Sequence, residues 1–244
     1  MVRNLLNAFL SILAYLVLYT FTAIIVLITI LLVTLNLKKL LNSILRFWAK
    51  TIFFVLGKKI KITRMENQQD SKKYIIVANH GSLFDIPAVM SHFPDIAWLG
   101  KEYLIKIPIF GKALKMTGYI PVRTSGVKNT KEALQQLIEK SGIKSVAIFP
   151  EGTRTENGDL LRFYKGFIRV MQSSQMDIIP ITLNGFFQLK PKTTWIIDFS
   201  SKLEIVIHKR IYFKSLEDKD DEEIIKIVQN IIASAYKQNK IEMP

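Results

Sequence analysis

Residues 74–85 read YIIVANHGSLFD, and this stretch decides the fold class of the chain. Its first part, Tyr74–Ala78, is apolar and rich in β-branched residues, which is typical of a buried strand. The polar part, Asn79–Asp85, follows at once and so lies where a strand end opens onto a crevice of an open α/β sheet. The stretch therefore predicts a strand, then a turn that carries His80, then the first turn of a helix that carries Asp85.

Short apolar strands alternate with helical patterns on both sides of this stretch. Further strands are predicted at Ile60–Thr63, Ile96–Leu99, Tyr119–Val122, Ser145–Phe149, Ile178–Leu183, Trp195–Phe199 and Leu203–Ile207. Helices are predicted over Asn129–Lys140 and from an acidic start at Asp220–Glu223. We therefore expect an α/β fold with a mixed, mostly parallel sheet flanked by helices.

His80 and Asp85 form the first candidate chemical pair. Because each residue of a helix turns by about 100°, they would point apart in a continuous helix, whereas a turn at His80 lets the carboxylate meet the imidazole. An ionised Asp that accepts from one ring nitrogen leaves the other nitrogen as a base for a substrate hydroxyl. The alternative is a capping turn without chemistry. Ser82 lacks a G-x-S-x-G environment, so we interpret it as a turn or cap residue.

A second motif, FPEGTR at Phe149–Arg154, follows a predicted strand and is expected at the same edge of the sheet. The planar guanidinium of Arg154 suits phosphate oxygens, and Gly152 permits close approach of the backbone. Glu151 can hold that guanidinium or contact a substrate hydroxyl. As an alternative, the E-G-T-R segment alone is compatible with a surface turn.

Two further cations stand at the ends of predicted strands. Lys101 follows Ile96–Gly100, and Arg123 follows Tyr119–Val122. In a parallel sheet both would lie on loops beside the two motifs. Single charges are more often solvated surface groups, so this alternative stays open as well.

The motifs N-H-x-S-x-x-D, F-P-E-G-T-R and I-I-P-I-T, in this order and spacing, resemble the 1-acylglycerol-3-phosphate acyltransferase family of the glycerolipid acyltransferase superfamily. The resemblance covers about Tyr74–Gly185. It implies that His80 is the catalytic base and that Asp85 orients it. It also implies a phosphate-binding position at Lys101 and an acceptor-binding motif made of Glu151, Gly152, Thr153 and Arg154.

The resemblance further implies a reaction. Acyl-CoA or acyl-carrier protein would donate a fatty acyl group to the sn-2 hydroxyl of 1-acylglycerol 3-phosphate (lysophosphatidic acid), giving phosphatidic acid in phospholipid biosynthesis. We expect no cofactor beyond that donor. Gly118–Arg123 lacks the acidic residue that family members often show before the arginine, which weakens the assignment of Arg123 as a phosphate ligand. Glycerol 3-phosphate or another lyso-lipid as acceptor, hydrolysis of the donor, and a non-catalytic lipid-binding protein stay open.

The N-terminal segment predicts a membrane anchor. Asn4–Leu37 carries no charged side chain, and its length suffices for one tilted span of a bilayer core about 30 Å thick. It exceeds the apolar region of a secretory signal, so we expect it to be retained. After Lys39 the apolar residues share one helical face, which suits an in-plane interfacial helix. Packing of that face on the catalytic domain would give the same pattern.

Net charge and composition limit the classes of molecule that the protein is expected to bind. The net charge is +14, and Met1–Met65 holds basic residues but no acidic one. This placement beside the apolar segment favours membrane lipid over nucleic acid, at the cytoplasmic face of the inner (plasma) membrane. Cysteine is absent and histidine is scarce, so a thiolate nucleophile is excluded and we expect no metal. We expect an anchor and amphipathic helix at residues 1–57 and one catalytic domain at residues 58–244.

Overall fold

A seven-stranded sheet forms the centre of the computed structural model, which describes residues 2–65, 73–93, 95–122, 135–139 and 144–237. The strands are β1 Ile60–Arg64, β2 Tyr74–Ala78, β3 Ile96–Lys101, β4 Ile120–Val122, β5 Ser145–Ile148, β6 Asp177–Asn184 and β7 Leu203–Ile207. Their order across the sheet is β1-β7-β6-β2-β5-β3-β4. Neighbours pair in parallel except β6 with β7, which confirms the mixed, mostly parallel sheet.

Helices cover both faces of the sheet. They are α1 Val2–Thr34, α2 Lys38–Val55, α3 Asp85–Met90, α4 Tyr103–Lys106, α5 Phe110–Met116, α6 Gly166–Ser174, α7 Phe186–Leu189 and α8 Asp221–Ala235. Residues 135–139 are also helical; the rest of the helix predicted at Asn129–Lys140 lies outside the described residues. Asp220 caps α8, accepting from the Glu223 N–H at 2.8 Å, which confirms the predicted acidic start.

The sheet separates two hydrophobic cores because successive side chains of a strand point to opposite faces. One core joins Ile76 of β2 and Trp98 of β3 to α1, α2 and α3. The other joins Ile75 and Val77 of β2 to α6 and α8. The described part of the chain is therefore a three-layer α/β structure, in which α1 belongs to one outer layer.

The strand predicted at Trp195–Phe199 is wrong, since this segment forms no strand. Its backbone instead bonds to side chains of α1. The Ile197 N–H donates to Ser11 Oγ at 2.8 Å, and the Tyr15 hydroxyl donates to the Trp195 carbonyl at 2.7 Å. Helix side chains thus satisfy backbone groups that a neighbouring strand would otherwise bind.

The two N-terminal helices pack on the sheet layer. In α1, Asn4–Thr34 is long and apolar enough to cross a membrane, and Leu18 joins the core. The predicted apolar face of α2 is covered by protein, since Ile52 and Leu56 are buried. This supports the packing alternative for α2, although Phe54 of the same helix is 84% exposed. The domain boundary at residue 57 stays a prediction.

Candidate active site

The sheet brings the two predicted motifs to one edge. Because β2 and β5 are adjacent and parallel, their carboxyl ends meet there, with His80 after β2 and the FPEGTR motif after β5. Lys101 is the exposed last residue of β3, which pairs in parallel with β5. Arg123 lies outside the described residues, so its role as a phosphate ligand stays a prediction.

The His80–Asp85 pair has the predicted geometry. His80 Nδ1 lies 2.8 Å from Asp85 Oδ2, and the same oxygen accepts from the N–H groups of Gly81 and Ser82, each at 2.8 Å. Asp85 is the fully buried first residue of α3. With the carboxylate as acceptor, Nδ1 carries the hydrogen and Nε2 is left with a lone pair.

The His80 ring is also fixed by stacking. It lies on the Phe149 ring with centroids 4.0 Å apart and planes 10° apart. The His80 side chain is still 16% exposed, whereas the Asp85 side chain behind it is completely covered. The base candidate is thus held on two sides and open to a substrate on another.

The backbone of His80 is bonded to the segment that contains the second motif. Its N–H donates to Glu151 Oε1 at 2.7 Å, and its carbonyl accepts from the Thr155 N–H at 3.0 Å. The other oxygen of Glu151 accepts from the Leu161 N–H at 3.0 Å. Glu151 therefore binds backbone groups on two loops, and its place in the acceptor-binding motif stays a prediction.

Burial changes the acidity of Glu151. The side chain is almost inaccessible, and this desolvation raises its pKa to about 7. The two backbone N–H bonds oppose that rise because they favour the charged form, whereas the negative charge of Asp85 adds to it. Among the described residues, the carboxylate is therefore held by backbone donors and by no cation.

Two polar residues of the first motif hold the turn to its neighbours. Asn79 bonds to Leu183 of β6 in both directions, at 3.0 and 2.7 Å. The buried Ser82 hydroxyl donates to the Lys190 carbonyl at 2.9 Å. The interpretation of Ser82 as a turn residue is therefore confirmed by its contacts.

The rest of the E-G-T-R segment provides an exposed turn and a cation. Gly152 has a φ of +67°, and a Cβ there would lie 3.7 Å from Tyr164. The left-handed backbone, rather than close approach, therefore requires glycine. Thr153 is exposed. Arg154 is half-buried, and its Nη1 is buried without a hydrogen-bond partner, so this donor is available to an anion.

Lys190 is a candidate that the sequence motifs missed. It is only 9% exposed, and burial lowers its pKa, with the charge of Arg154 adding to the effect. The turn between β6 and the helix that precedes Lys190 contains Gly185. Its φ is +81°, and a Cβ there would lie 1.9 Å from the Lys202 carbonyl oxygen, so this position requires glycine. The place of Lys190 in the sequence could have indicated it, because Lys190 follows β6, which is parallel to β2 and ends at the same sheet edge.

The arrangement can accept a proton at His80 Nε2 beside a group that can bind an anion. Within the described ranges, no group of three or more His, Cys, Asp or Glu residues is placed to hold a metal ion. The chemistry that these side chains themselves support is general-base activation of a hydroxyl on an anionic molecule.

Comparison with known proteins gives consistent matches. The chain is 29% identical over 197 residues to a chloroplastic 1-acyl-sn-glycerol-3-phosphate acyltransferase of Arabidopsis thaliana, covering 80% of this chain and 55% of that protein. It is 29% identical to the 1-acyl-sn-glycerol-3-phosphate acyltransferase of Borreliella burgdorferi, covering 81% and 79%. The chain thus spans about half the length of the plant relative and more of the bacterial one.

A solved structure shares the fold. The crystal structure of the 1-acyl-sn-glycerophosphate acyltransferase PlsC from Thermotoga maritima superposes with a TM-score of 0.77 at 22% identity, covering 95% of this chain and 96% of that one. Residues 59–184, which include both motifs and β1 to β6, match the family described as Acyltransferase. The chain therefore belongs to the acyltransferase family.

Proposed function

We propose that this protein transfers a fatty acyl group from acyl-CoA or acyl-carrier protein to the sn-2 hydroxyl of 1-acylglycerol 3-phosphate, forming phosphatidic acid. The observation that carries the proposal is the His80–Asp85 pair, 2.8 Å apart, at the sheet edge that also carries Arg154 with its unpartnered Nη1. Relatives that bear the name of this activity match 80% of the chain, which supports the same assignment.

The proposed reaction uses the substrate hydroxyl as the nucleophile. His80 Nε2 takes the hydroxyl proton while the oxygen attacks the thioester carbonyl carbon. The carbon–sulfur bond then breaks, and the leaving thiolate takes the proton from the imidazolium. Asp85 stabilises the imidazolium and maintains the tautomer. The products are a new ester and a free thiol, and no acyl-enzyme forms.

Cations at the sheet edge would hold the acceptor. Arg154 is the principal candidate for the phosphate, with Lys101 at the end of β3 and Arg123 as further candidates. Binding the phosphate fixes the nearby hydroxyl against His80, and such positioning lowers the barrier because it makes the step nearly unimolecular. No cofactor or metal is needed for this scheme, since donor and acceptor supply both reacting groups.

We place the reaction at the cytoplasmic face of the membrane. Helix α1 is long and apolar enough to span, and the neighbouring basic residues favour the side that carries anionic lipid and positive loops. Lysophosphatidic acid and phosphatidic acid are membrane lipids, so an enzyme held against the bilayer meets its acceptor there.

The test uses the purified full chain in nonionic detergent. Lysophosphatidic acid, glycerol 3-phosphate and other lyso-lipids are supplied with either acyl-CoA or acyl-carrier protein. Thiol release and product masses are then measured. We expect phosphatidic acid, with thiol release that depends on lysophosphatidic acid.

Other products would contradict the proposal in distinct ways. Preferred acylation of glycerol 3-phosphate or another lyso-lipid would change the acceptor. Thiol release without any acceptor would indicate a hydrolase. No thiol release with any pair of substrates would indicate a lipid-binding protein without turnover.

A further inference from the structure

Two cations, the half-buried Arg154 and the buried Lys190, lie on loops at the same edge of the sheet. Arg154 follows β5, and Lys190 follows β6 and α7. Lys190 is only 9% exposed; burial lowers its pKa, and the charge of Arg154 adds to that effect. Among the residues that the structure describes, neither cation forms an ion pair with a carboxylate. Two positive charges close together repel each other, and an anion bound between them offsets this repulsion.

Hydrogen bonding leaves donors free on both side chains. Arg154 Nη1 is buried without a partner. Lys190 Nζ donates to the Pro191 carbonyl at 3.2 Å, while an ammonium has three N–H donors. Since buried donors without partners cost stability, the arrangement favours a ligand that has several acceptor oxygens and negative charge.

Ser82 links the backbone of Lys190 to the His80–Asp85 pair through hydrogen bonds. The Lys190 carbonyl accepts from the Ser82 hydroxyl at 2.9 Å, and the Ser82 N–H bonds to the carboxylate that orients His80. In a lysophosphatidic acid the phosphate lies only a few bonds from the sn-2 hydroxyl. A phosphate that contacts Lys190 can therefore present that hydroxyl to His80.

We propose that Lys190, together with Arg154, binds the phosphate monoester of the acyl acceptor and so positions its hydroxyl. This inference rests on the proposed function for the identity of the acceptor, but the anion site itself does not. The contrast with Lys192 supports it, because Lys192 lies nearby in sequence but forms a surface ion pair with Glu156 at 2.7 Å. A lysine kept for solubility or structure would be expected to resemble Lys192.

The kinetic test compares Lys190→Gln with Lys192→Gln, in the full chain in nonionic detergent. Glutamine still donates to the Pro191 carbonyl but removes the charge. We expect Lys190→Gln to raise the KM for lysophosphatidic acid by about tenfold. The KM for the acyl donor and for an uncharged monoacylglycerol acceptor should change by less than about threefold, and Lys192→Gln should match the unsubstituted protein. An unchanged KM for lysophosphatidic acid, an equal rise for monoacylglycerol, or a rise for the donor alone would overturn the proposal.

A binding test separates this inference from the proposed function. Thermal unfolding is followed with increasing sn-glycerol 3-phosphate and, separately, inorganic phosphate, without any acyl donor. We expect both probes to stabilise the unsubstituted protein and Lys192→Gln, and Lys190→Gln to need about tenfold more of either. Equal responses, or a lower unfolding temperature in the absence of phosphate with the phosphate response intact, would overturn the role of Lys190. If phosphate binding depends on Lys190 while no acceptor is acylated, the anion site stands and the proposed function fails.

Discussion

Two buried carboxylates are held in opposite ways in this molecule. Glu151, at the sheet edge with His80, accepts from two backbone N–H groups and from no side chain that the structure describes, and burial raises its pKa to about 7. Glu204, in β7, accepts from Lys237 Nζ at 2.6 Å and pairs with Lys61 Nζ at 3.1 Å. The bond from Lys237 is the main reason why the pKa of Glu204 falls to about 2.

Charge in these two regions is divided between function and stability. At the candidate active site, the hydrogen bonds to Glu151 and to Asp85 Oδ2 come from backbone and imidazole donors, and the buried Asp85 Oδ1 has no partner among the described residues. Within those residues neither carboxylate pairs with Arg154 or Lys190, so both cations keep their charge for a ligand. At β7, Lys61 and Lys237 neutralise the Glu204 carboxylate, so these charges stabilise the fold and are not available to a ligand. Changes that remove one carboxylate at a time can test this division.

Among the carboxylate variants, Asp85→Asn should have the largest effect. The amide oxygen can still accept from the turn, but it no longer provides the negative charge that fixes the tautomer and stabilises the imidazolium. We expect kcat/KM for acyl transfer to fall by about 10³- to 10⁴-fold, as measured by acceptor-dependent thiol release. Asp198→Asn, on the surface, is the matched control and should retain full activity. An Asp85→Asn protein with more than about a tenth of the activity would remove Asp85 from the mechanism.

Glu151→Gln and Glu204→Gln form the central pair of variants. In Glu151→Gln, one of the two backbone N–H groups faces an amide NH2, which displaces the His80 turn. Since misplacement of about 1 Å can cost 10²-fold, we expect kcat to fall by about 100-fold while the KM for the acceptor stays within about twofold. Glu204→Gln should leave both constants unchanged. If Glu151 contacted the substrate, Glu151→Gln would instead raise that KM.

Arg154→Ala should have a smaller effect, mainly on acceptor binding. The guanidinium binds the phosphate in the ground state and in the transition state alike, so its loss raises the KM with kcat little changed. We expect a rise of about tenfold for lysophosphatidic acid and none for the acyl donor, from initial rates at varied substrate. A fall in kcat at constant KM would show that Arg154 acts on the transition state instead.

The smallest effect concerns the pH dependence of stability. Because the pKa of Glu204 is lowered on folding, its contribution is present above pH 4.5 and is lost as the pH falls towards 2. Because the pKa of Glu151 is raised, its contribution is present below pH 4.5 and is lost as the pH rises through about 7. For each Gln variant, the unfolding free energy is subtracted from that of the unsubstituted protein. These two differences, plotted against pH, should have opposite slopes.

We expect the Glu204 difference to be on the order of 1 kcal/mol, since its lysine partners are largely exposed and solvent screens them. Denaturant unfolding between pH 2 and 8 provides the measurement. Slopes of the same sign for the two variants would contradict the division between the two regions.

Much of the fold was predictable because it depends on local pattern. Tyr74–Ala78 and Leu203–Ile207 are strands with the predicted limits, since short apolar runs between polar turns have few other stable conformations. Trp195–Phe199 was not predictable in the same way. Its composition suits a strand, but two of its backbone groups bond to Ser11 and Tyr15 of a helix far away in sequence, and no local pattern indicates such a partner.

The site was predictable in its residues more than in their contacts. The bend that brings Asp85 to His80 follows from helix geometry, and parallel strands put the FPEGTR motif at the same edge. The backbone partners of Glu151 were not predictable, because they depend on how two loops dock. Lys190 was missed for a related reason: its neighbour Arg154 is distant in sequence, and a single lysine after a short helix looks like an ordinary surface residue.

The rate of phosphatidic acid formation by His80→Ala shows whether His80 is the base. Unsubstituted protein, His80→Ala and the control His92→Ala are compared with the same lysophosphatidic acid and acyl donor, after thermal unfolding shows that all three fold. We expect a loss of about 10²- to 10⁴-fold for His80→Ala and none for His92→Ala. An undiminished rate in folded His80→Ala protein would contradict the assignment of His80 as the base.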